Sequence, residues 1–491
     1  MSSNDLIQAR IAKLNKLKEL GVNPFPSLSV KKEYVKDLVS MEEGKEVQTC
    51  GRLMSYREHG KISFADLHDE TGRIQLAFRR DVITPQVYDE YLKLLDLGDF
   101  VRVKGKLFVT KAGEKTIDTA EIELLTKSLR PLPSSWYGLK DAEERFRQRY
   151  VDFNLEPDLR EMFKKKTIFW ATIRNFMISK GFLEVETPVL ENTAGGADAN
   201  PFVTHHNALD IDVYLRISMG ELWQKRLMVA GFERTFEIGR QFRNEGISRE
   251  HLQDYTQMEF YWAYANYEDS MALVEEMYKK VAFDAFGTYE FEINGHKVDM
   301  NKKWDRLSYA KAIKEAHGID IDLASDDDLK AKLKSLKIPF EKNDEKGRLI
   351  DLLWKEVRKG VSGPVFLVDH PVEVSPLAKR KKDNPNLVER YQIILAGSEM
   401  GNGYSELNDP IDQAQRFKKQ QDMRDSGDDE AQMYDRDFVR ALEYGMPPVT
   451  GFGVSERLFS FLANKSVREC VMFPLLRPEE QVENIDESLY S

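Results

Sequence analysis

The sequence predicts an α+β chain in two main parts: a small five-stranded barrel, then a larger domain built on an antiparallel sheet flanked by helices. Three observations carry this expectation. Between about 46 and 127 the text breaks into five short β-type runs set off by glycines. Past 141, helical patterns alternate with antiparallel-strand patterns. At 491 residues the chain is also too long for one core, given about 150 residues per domain. Hydrophobic residues at 41% and charged residues at 32% are the balance of a globular protein. No apolar stretch approaches the ~20 residues of a membrane helix, so no membrane partner is expected.

The first element is a helix over 5–20, with apolar positions Leu6, Ala9, Ile11, Leu14, Leu17 and Leu20 and a stop at Gly21. The connector Asn23-Pro24-Phe25-Pro26 follows, so residues 1–45 form a helix and connector. The β runs are Glu46–Tyr56, Lys61–His68, Arg73–Arg79, Phe100–Val109 and Thr116–Leu125, with a helical interval around Val87–Leu97 after the third. Five strands with a helix in that place are the plan of an OB-fold, which often binds single-stranded nucleic acid. The plainer alternative is a barrel that serves only oligomerisation. This domain spans 46–130. A linker, 131–150, opens with Arg130-Pro131-Leu132-Pro133 at its boundary. The larger domain takes 151–478 and is interrupted at about 303–360 by a charge-rich helical insertion; the acidic tail 479–491 is expected to be disordered.

Net charge is −11, which by itself disfavours a nucleic-acid partner. Its distribution is uneven. Residues 1–130 carry 22 basic against 20 acidic side chains, and the remainder 50 against 63, so a polyanion is better sought at the N-terminal end. Cys50 and Cys470 are the only cysteines, which supports neither a disulfide framework nor a cysteine zinc site. With no secretory signal pattern after Met1, a reducing cytoplasm is expected.

Three distant segments carry the chemistry. The first is a helix, Lys166–Lys180, followed by the strand Gly181-Phe182-Leu183-Glu184-Val185-Glu186-Thr187-Pro188. The second runs from Phe232 to Arg243, through a polar loop over 244–254, and back along Tyr255–Trp262. Alternation puts Phe236, Ile238, Met258, Phe260 and Trp262 on a buried face, and Arg243, Glu259 and Tyr261 on the opposite one. An arginine there suits a phosphate, because its fork makes two parallel charge-assisted hydrogen bonds. The third is Gly451-Phe452-Gly453-Val454-Ser455-Glu456-Arg457, read as a glycine turn that opens a helix with Leu458, Phe461 and Leu462 inward.

Together these segments resemble the three signature motifs of class II aminoacyl-tRNA synthetases. The order agrees, as does the detail of the second motif, with Glu245 two residues after Arg243 and then His251 and Tyr255. Adding the barrel and the stretches 202–210, 371–380 and 401–409, the chain resembles bacterial-type lysyl-tRNA synthetases over nearly its whole length. The resemblance implies that ATP is a co-substrate, with Arg243 on its α-phosphate, Glu245 on the adenine amino group, Tyr255 and Arg457 on either side of adenine, and His251 by the distal phosphates. Arg457 would also lie near the γ-phosphate. Glu399 matches the main ligand of Mg²⁺. Gln392 stands where a second acid is usual, so weakened metal binding, rather than its loss, is expected.

For lysine, the resemblance assigns Gly196 and Glu221 to the α-amino end, Glu259 with Tyr261 to the side chain, and Asn402, Tyr404 and Glu406 to its tail. Charge agrees, since a cationic substrate with a free α-amino group needs carboxylates and an acidic one the reverse. Asn402, Tyr404 and Glu406 alternate on one strand face whereas Glu399 does not, and a bulge at Gly401 would reconcile them. In the barrel, Phe64, Gln75 and Glu114, with Arg52 in support, match positions that read the central anticodon base of tRNA(Lys). A homodimer formed through the first motif is also implied.

The chain departs from the family at several points. Glu250 replaces the usual arginine before His251, Asn200 stands where arginine is common, Met219-Gly220 lengthens the approach to Glu221, and the third motif is about one residue short. The competing readings are an aspartyl- or asparaginyl-specific relative, a non-catalytic tRNA-binding paralogue, and a factor that lysylates protein, which normally lacks the barrel.

Overall fold

The structure is a computed structural model that describes residues 3–133, 139–197, 199–246, 248–341, 344–427 and 431–478. The acidic tail lies outside the described residues. The chain divides into two compact units, 1–155 with 475–491, and 156–474, so the division falls a few residues past the sequence-based boundary at 150/151.

In the first unit, β1 (Glu46–His59), β2 (Ile62–His68), β3 (Arg73–Arg79), β4 (Phe100–Val109) and β5 (Lys115–Thr126) form a closed barrel in the order β1-β2-β3-β5-β4. Closure comes from the parallel pairing of β3 with β5. Between β3 and β4 the helical interval is two short turns, Val87–Tyr91 and Leu92–Leu94. Val47, Leu53, Leu67, Ile74, Leu76, Phe78, Val101 and Ile117 point inward and pack together. The N-terminal helix α1 (Ser3–Glu19) contributes Leu17 to this core. Its buried stripe is Ile7, Leu14 and Leu17, while Leu6 and Leu20, expected on that stripe, are exposed.

The second unit is built on an eight-stranded sheet. Its strands are β6 (Leu183–Glu184), β7 (Arg234–Phe242), β8 (Asp254–Ala263), β9 (Asp305–Ser308), β10 (Val365–Val368), β11 (Arg390–Leu395), β12 (Ser398–Ser405) and β13 (Val449–Ser455). The order is β9-β10-β11-β12-β13-β8-β7-β6, antiparallel except for the parallel pairs at the two edges. Two details differ from the sequence reading. The strand expected over 181–188 pairs only at Leu183–Glu184, with one further hydrogen bond from the Val185 backbone to Phe236, before the chain leaves to pair at Leu190–Glu191 in a separate sheet. The expected insertion begins later than 303, because Asp305–Ser308 is an edge strand of the sheet itself. The inserted part is then helical: α-helices at Tyr309–His317, Asp326–Ser335 and Lys346–Val357 pack around Ile313, Leu329, Leu353 and Trp354.

One face of the sheet is covered by two helices, α2 (Pro157–Ser179) and α3 (Tyr267–Phe286). α3 starts at a capping box, where Asn266 accepts from the Asp269 backbone and Asp269 answers, and it stops at Gly287. Its residues Met271, Val274, Met277, Tyr278 and Val281 recur at helical spacing and meet Phe236, Met258, Phe260 and Phe452 from the strands. Side chains on a strand alternate, so sealing this face leaves Gln257, Glu259 and Tyr261 on the other. That other face forms the site.

Candidate active site

Register explains which residues meet on the open face. Directly paired strand residues point to the same side. Tyr261 pairs with Gly451, which pairs with Tyr404, which pairs with Arg390. One row over, Glu259, Gly453, Asn402 and Gln392 are paired in the same way. The β11–β12 ladder shifts register between Gln392 and Ile394, inserting one extra residue on β12 between Glu399 and Asn402. This is the expected bulge, and it brings Glu399 to the cavity that Asn402 and Tyr404 also line.

The glycines of the third motif prove to lie within β13 rather than in a turn. A Cβ on Gly451 would stand 2.4 Å from Glu406 Oε1 and 2.6 Å from Tyr261 Cε1, so bare backbone is required beneath those side chains. The following helix begins at Arg457 and buries Leu458, Phe461 and Leu462.

The resulting cavity encloses about 380 Å³ and brings together Gly196, Glu221, Arg243, Tyr255, Glu259, Tyr261, Glu399, Asn402, Tyr404, Glu406 and Arg457. Gly196 has φ +88°, and a side chain there would collide with Ser218 Oγ at 2.6 Å. Arg243 presents a guanidinium with no hydrogen-bond partner among the described residues, its centre 5.9 Å from the Tyr255 ring. The Arg457 Nη2 donates to the Glu399 backbone oxygen at 2.5 Å and faces Glu250 at 3.4 Å.

At the other end the cavity is acidic. Glu259 accepts from the Met219 backbone at 3.0 Å, Gln257 at 2.7 Å and the Tyr261 hydroxyl at 3.0 Å. Glu221 opens the helix Glu221–Val229 and accepts from the Tyr404 hydroxyl. Lys225, fully buried, lies between Glu221 at 2.7 Å and Glu406 at 2.6 Å. Sequence reasoning missed this lysine. The signal was its place four residues after Glu221 on a helix, the spacing at which a glutamate and a lysine meet. Two of the three buried carboxylates, Glu221 and Glu406, thus share one cation. Burial, reinforced by the charge of Glu221, pushes Glu259 up to about 7. Burial also pushes Glu406 up to about 8, against the pull of Lys225.

Three of the assigned residues do not line the cavity. Glu245 and His251 sit on the loop between β7 and β8, where the Glu245 backbone accepts from Gln253 and His251 meets Ser248 Oγ at 2.7 Å. Burial, with Arg457 and Arg243 nearby, holds the His251 imidazole below its usual range. Gln392 is buried and its Oε1 meets His370 Nε2 at 3.2 Å, which engages the carbonyl oxygen that a cation would need. Among the described residues no three His, Cys, Asp or Glu side chains converge as a metal cage. Glu399, whose carboxylate has no partner among the described residues, fits a Mg²⁺ that takes its remaining ligands from phosphates and water.

The chain was compared with known proteins. The family described as tRNA synthetases class II (D, K and N) matches residues 141–477, and an OB-fold nucleic acid binding domain matches 47–132. The chain belongs to the class II tRNA synthetases. Among relatives of this synthetase, the lysine–tRNA ligase of Moorella thermoacetica is 45% identical, over 98% of this chain and 99% of that one. Those of Carboxydothermus hydrogenoformans (44%; 97% and 99%) and Thermosipho africanus (43%; 98% and 98%) are similar over comparable spans.

On the barrel of this synthetase, Phe64, Gln75, Glu114 and Arg52 share one outer face. Gln75 pairs with Asp66, two residues from Phe64, and with Thr116, two residues from Glu114. Arg52 pairs with His68, two residues beyond Asp66. Phe64 is half-buried, lies outside the barrel core and meets the His59 ring edge-on. Gln75 is 8% exposed and accepts from Thr116 Oγ1 at 3.0 Å. Arg73 accounts for this cover, because it bridges Asp66 and Glu114 around the glutamine.

Proposed function

We propose that this synthetase activates lysine with ATP, forming lysyl-adenylate and releasing pyrophosphate, and then transfers lysine to the 3′ end of tRNA(Lys) in the cytoplasm. One observation carries the choice among the three amino acids of the family description: of three buried carboxylates, Glu221, Glu259 and Glu406, only Glu221 and Glu406 contact the cation Lys225, and they share it. Carboxylates are thus in excess of cations at the closed end of the cavity, which suits the two ammonium groups of lysine. Aspartate or asparagine would meet repulsion or an unpaired carboxylate there. Amino-acid-dependent ATP–pyrophosphate exchange tests the reading. Exchange with lysine and none with aspartate or asparagine is expected, and the reverse pattern overturns it.

With its ammonium groups held at that end, the lysine carboxylate is directed toward Arg243. It is already ionised, so no general base is needed. Its oxygen attacks the α-phosphorus in line, the bond to pyrophosphate breaks, and Arg243 stabilises the charge that builds on the equatorial oxygens. Tyr255 and Arg457 hold the nucleotide, with Glu245 and His251 on the loop between β7 and β8. Glu399 would hold Mg²⁺, which when bound would supply positive charge against the phosphates. The persistence of Arg243, Arg457 and Glu399 on one cavity argues against a non-catalytic paralogue.

The carboxylates give a pH signature. In the free cavity burial pushes the Glu259 and Glu406 carboxyls up, to about 7 and about 8, which favours their protonated forms. An arriving ammonium favours their charged forms and lowers both values. Lysine binding at pH 7 is therefore expected to release protons, read by calorimetry as an enthalpy that varies with the ionisation enthalpy of the buffer.

For tRNA, the exposed edge of Phe64 offers a stacking surface on the barrel. Phe64→Ala is expected to weaken tRNA charging by ~5- to 100-fold, the worth of one stacked base, while pyrophosphate exchange is unchanged. Equal loss in both assays would reassign Phe64 to the fold. A homodimer is supported by the exposed apolar side chains Ile168, Ile178, Leu183, Leu190 and Val203 on and after α2.

A further inference from the structure

A third arginine lines the cavity beside Arg243 and Arg457. Arg390, the first residue of β11, is half-buried and forms no ion pair among the described residues. Its donors go to neutral oxygens instead. Nε donates to Asn402 Oδ1 at 2.9 Å, and Nη1 donates to Ser375 Oγ at 2.9 Å and to the Val374 backbone oxygen at 2.5 Å. Residues 374–378 form another part of the lining, and Arg416 also holds them, through the Ser375 and Ala378 backbone oxygens at 3.1 and 2.9 Å. That loop therefore has a second anchor. The Asn402 side chain has none, because the bond from Arg390 is its only one among the described residues.

An arginine has donors and no acceptor, so an amide that meets it must present its oxygen. The Asn402 Nδ2 is thereby turned away from Arg390. It makes no hydrogen bond among the described residues and is not enclosed by protein, and Asn402 lines the cavity. The amide therefore offers N–H donors there, which suit an anionic oxygen and not an ammonium group. Position agrees. Along β12, Asn402 lies between Tyr404, at the acidic end of the cavity, and Glu399, at the phosphate end.

We propose that Arg390 is a positioning residue for lysine activation: by holding the Asn402 oxygen it aims the amide nitrogen at the carboxylate of bound lysine, which it holds for attack. The proposal rests on the reading of the chain as a lysine-activating synthetase. It moves Asn402 from the ammonium tail of lysine, where the resemblance put it, to the reacting end.

The test uses the full-length protein in lysine-dependent ATP–pyrophosphate exchange. Cadaverine, which keeps both ammonium groups of lysine and has no carboxylate, serves as a competitive inhibitor. Arg390→Met is expected to raise KM for lysine about ten-fold or more, the worth of a hydrogen bond to a charged group. The inhibition constant of cadaverine should stay about the same, within roughly two-fold of wild type. Asn402→Asp keeps the bond from Arg390, and with it the local fold, but offers the cavity an acceptor in place of donors. It should raise KM for lysine at least as far, and bind cadaverine as tightly as wild type or more so. In an Asn402→Ala background, Arg390→Met should change KM for lysine by less than about two-fold, because the residue it acts through is gone. Parallel weakening of lysine and cadaverine in Arg390→Met, tighter lysine binding in Asn402→Asp, or additive losses in the double variant would overturn the proposal. Absence of lysine-dependent exchange in the wild-type protein would instead overturn the parent reading, so the two failures are distinguishable.

Discussion

Arg243→Ala is expected to lower lysine-dependent pyrophosphate exchange by about 10²- to 10³-fold, the effect of removing one preorganised group that stabilises a developing oxyanion. The thermal midpoint should not move. Both expectations follow from one fact: the guanidinium lines the cavity and makes no hydrogen bond to the described protein. Its removal costs the fold no partner, yet leaves the α-phosphate without its fixed countercharge. The loss should fall on kcat, with little change in KM for lysine, because the ammonium groups are held at the far end by Glu259 and its neighbours. A fall in thermal midpoint matching the fall in activity would show that Arg243 braces the β7–β8 hairpin instead.

Lys225→Met is expected to destabilise the second unit by about 3–5 kcal/mol, as when one partner is removed from a buried ion pair. Measured by thermal denaturation, this is on the order of a 10 °C fall for a unit of this size. The loss should depend on pH in a defined sense. Carboxylates whose folded pKa lies above the unfolded value of about 4.5 bind protons more tightly in the native state. Stability then falls as pH rises from the unfolded value through the folded ones. Without Lys225 the three carboxylates repel one another further, so the deficit of the variant should grow between about pH 5 and pH 8 and be smallest at the acid end. A deficit that is flat with pH would show that Lys225 serves by packing alone.

Much of the fold was legible because the sequence repeats its physics locally. The barrel strands announce themselves by alternation between glycines, and Arg73–Arg79 and Phe100–Val109 fall where that pattern puts them. The hairpin β7–β8 was readable for the same reason, with Met258 and Phe260 against the helices and Glu259 and Tyr261 opposite. Other features depend on partners far along the chain. Asp305–Ser308 has too few residues to show a period, and only its parallel pairing with β10 makes it a strand. The glycines at 451 and 453 looked like a turn because glycine marks turns and close approaches alike, and the crowding of Tyr261, Glu259 and Glu406 lies elsewhere in the sequence. Lys225 was missed for a related reason: a lysine is read as solvated unless two carboxylates are known to surround it.

The stretch of β13 beneath the cavity also limits how this enzyme can be redesigned. Glycine is already the smallest residue, so the floor under Tyr261 and Glu406 offers nothing to trim. A bulkier lysine analogue would have to be admitted through the walls, by shortening Tyr261 or Tyr404, and each change would remove a hydroxyl that braces a carboxylate, Glu259 or Glu221. A library aimed at longer or branched substrates would therefore vary each tyrosine together with the glutamate it braces, with Gly451 and Gly453 left untouched.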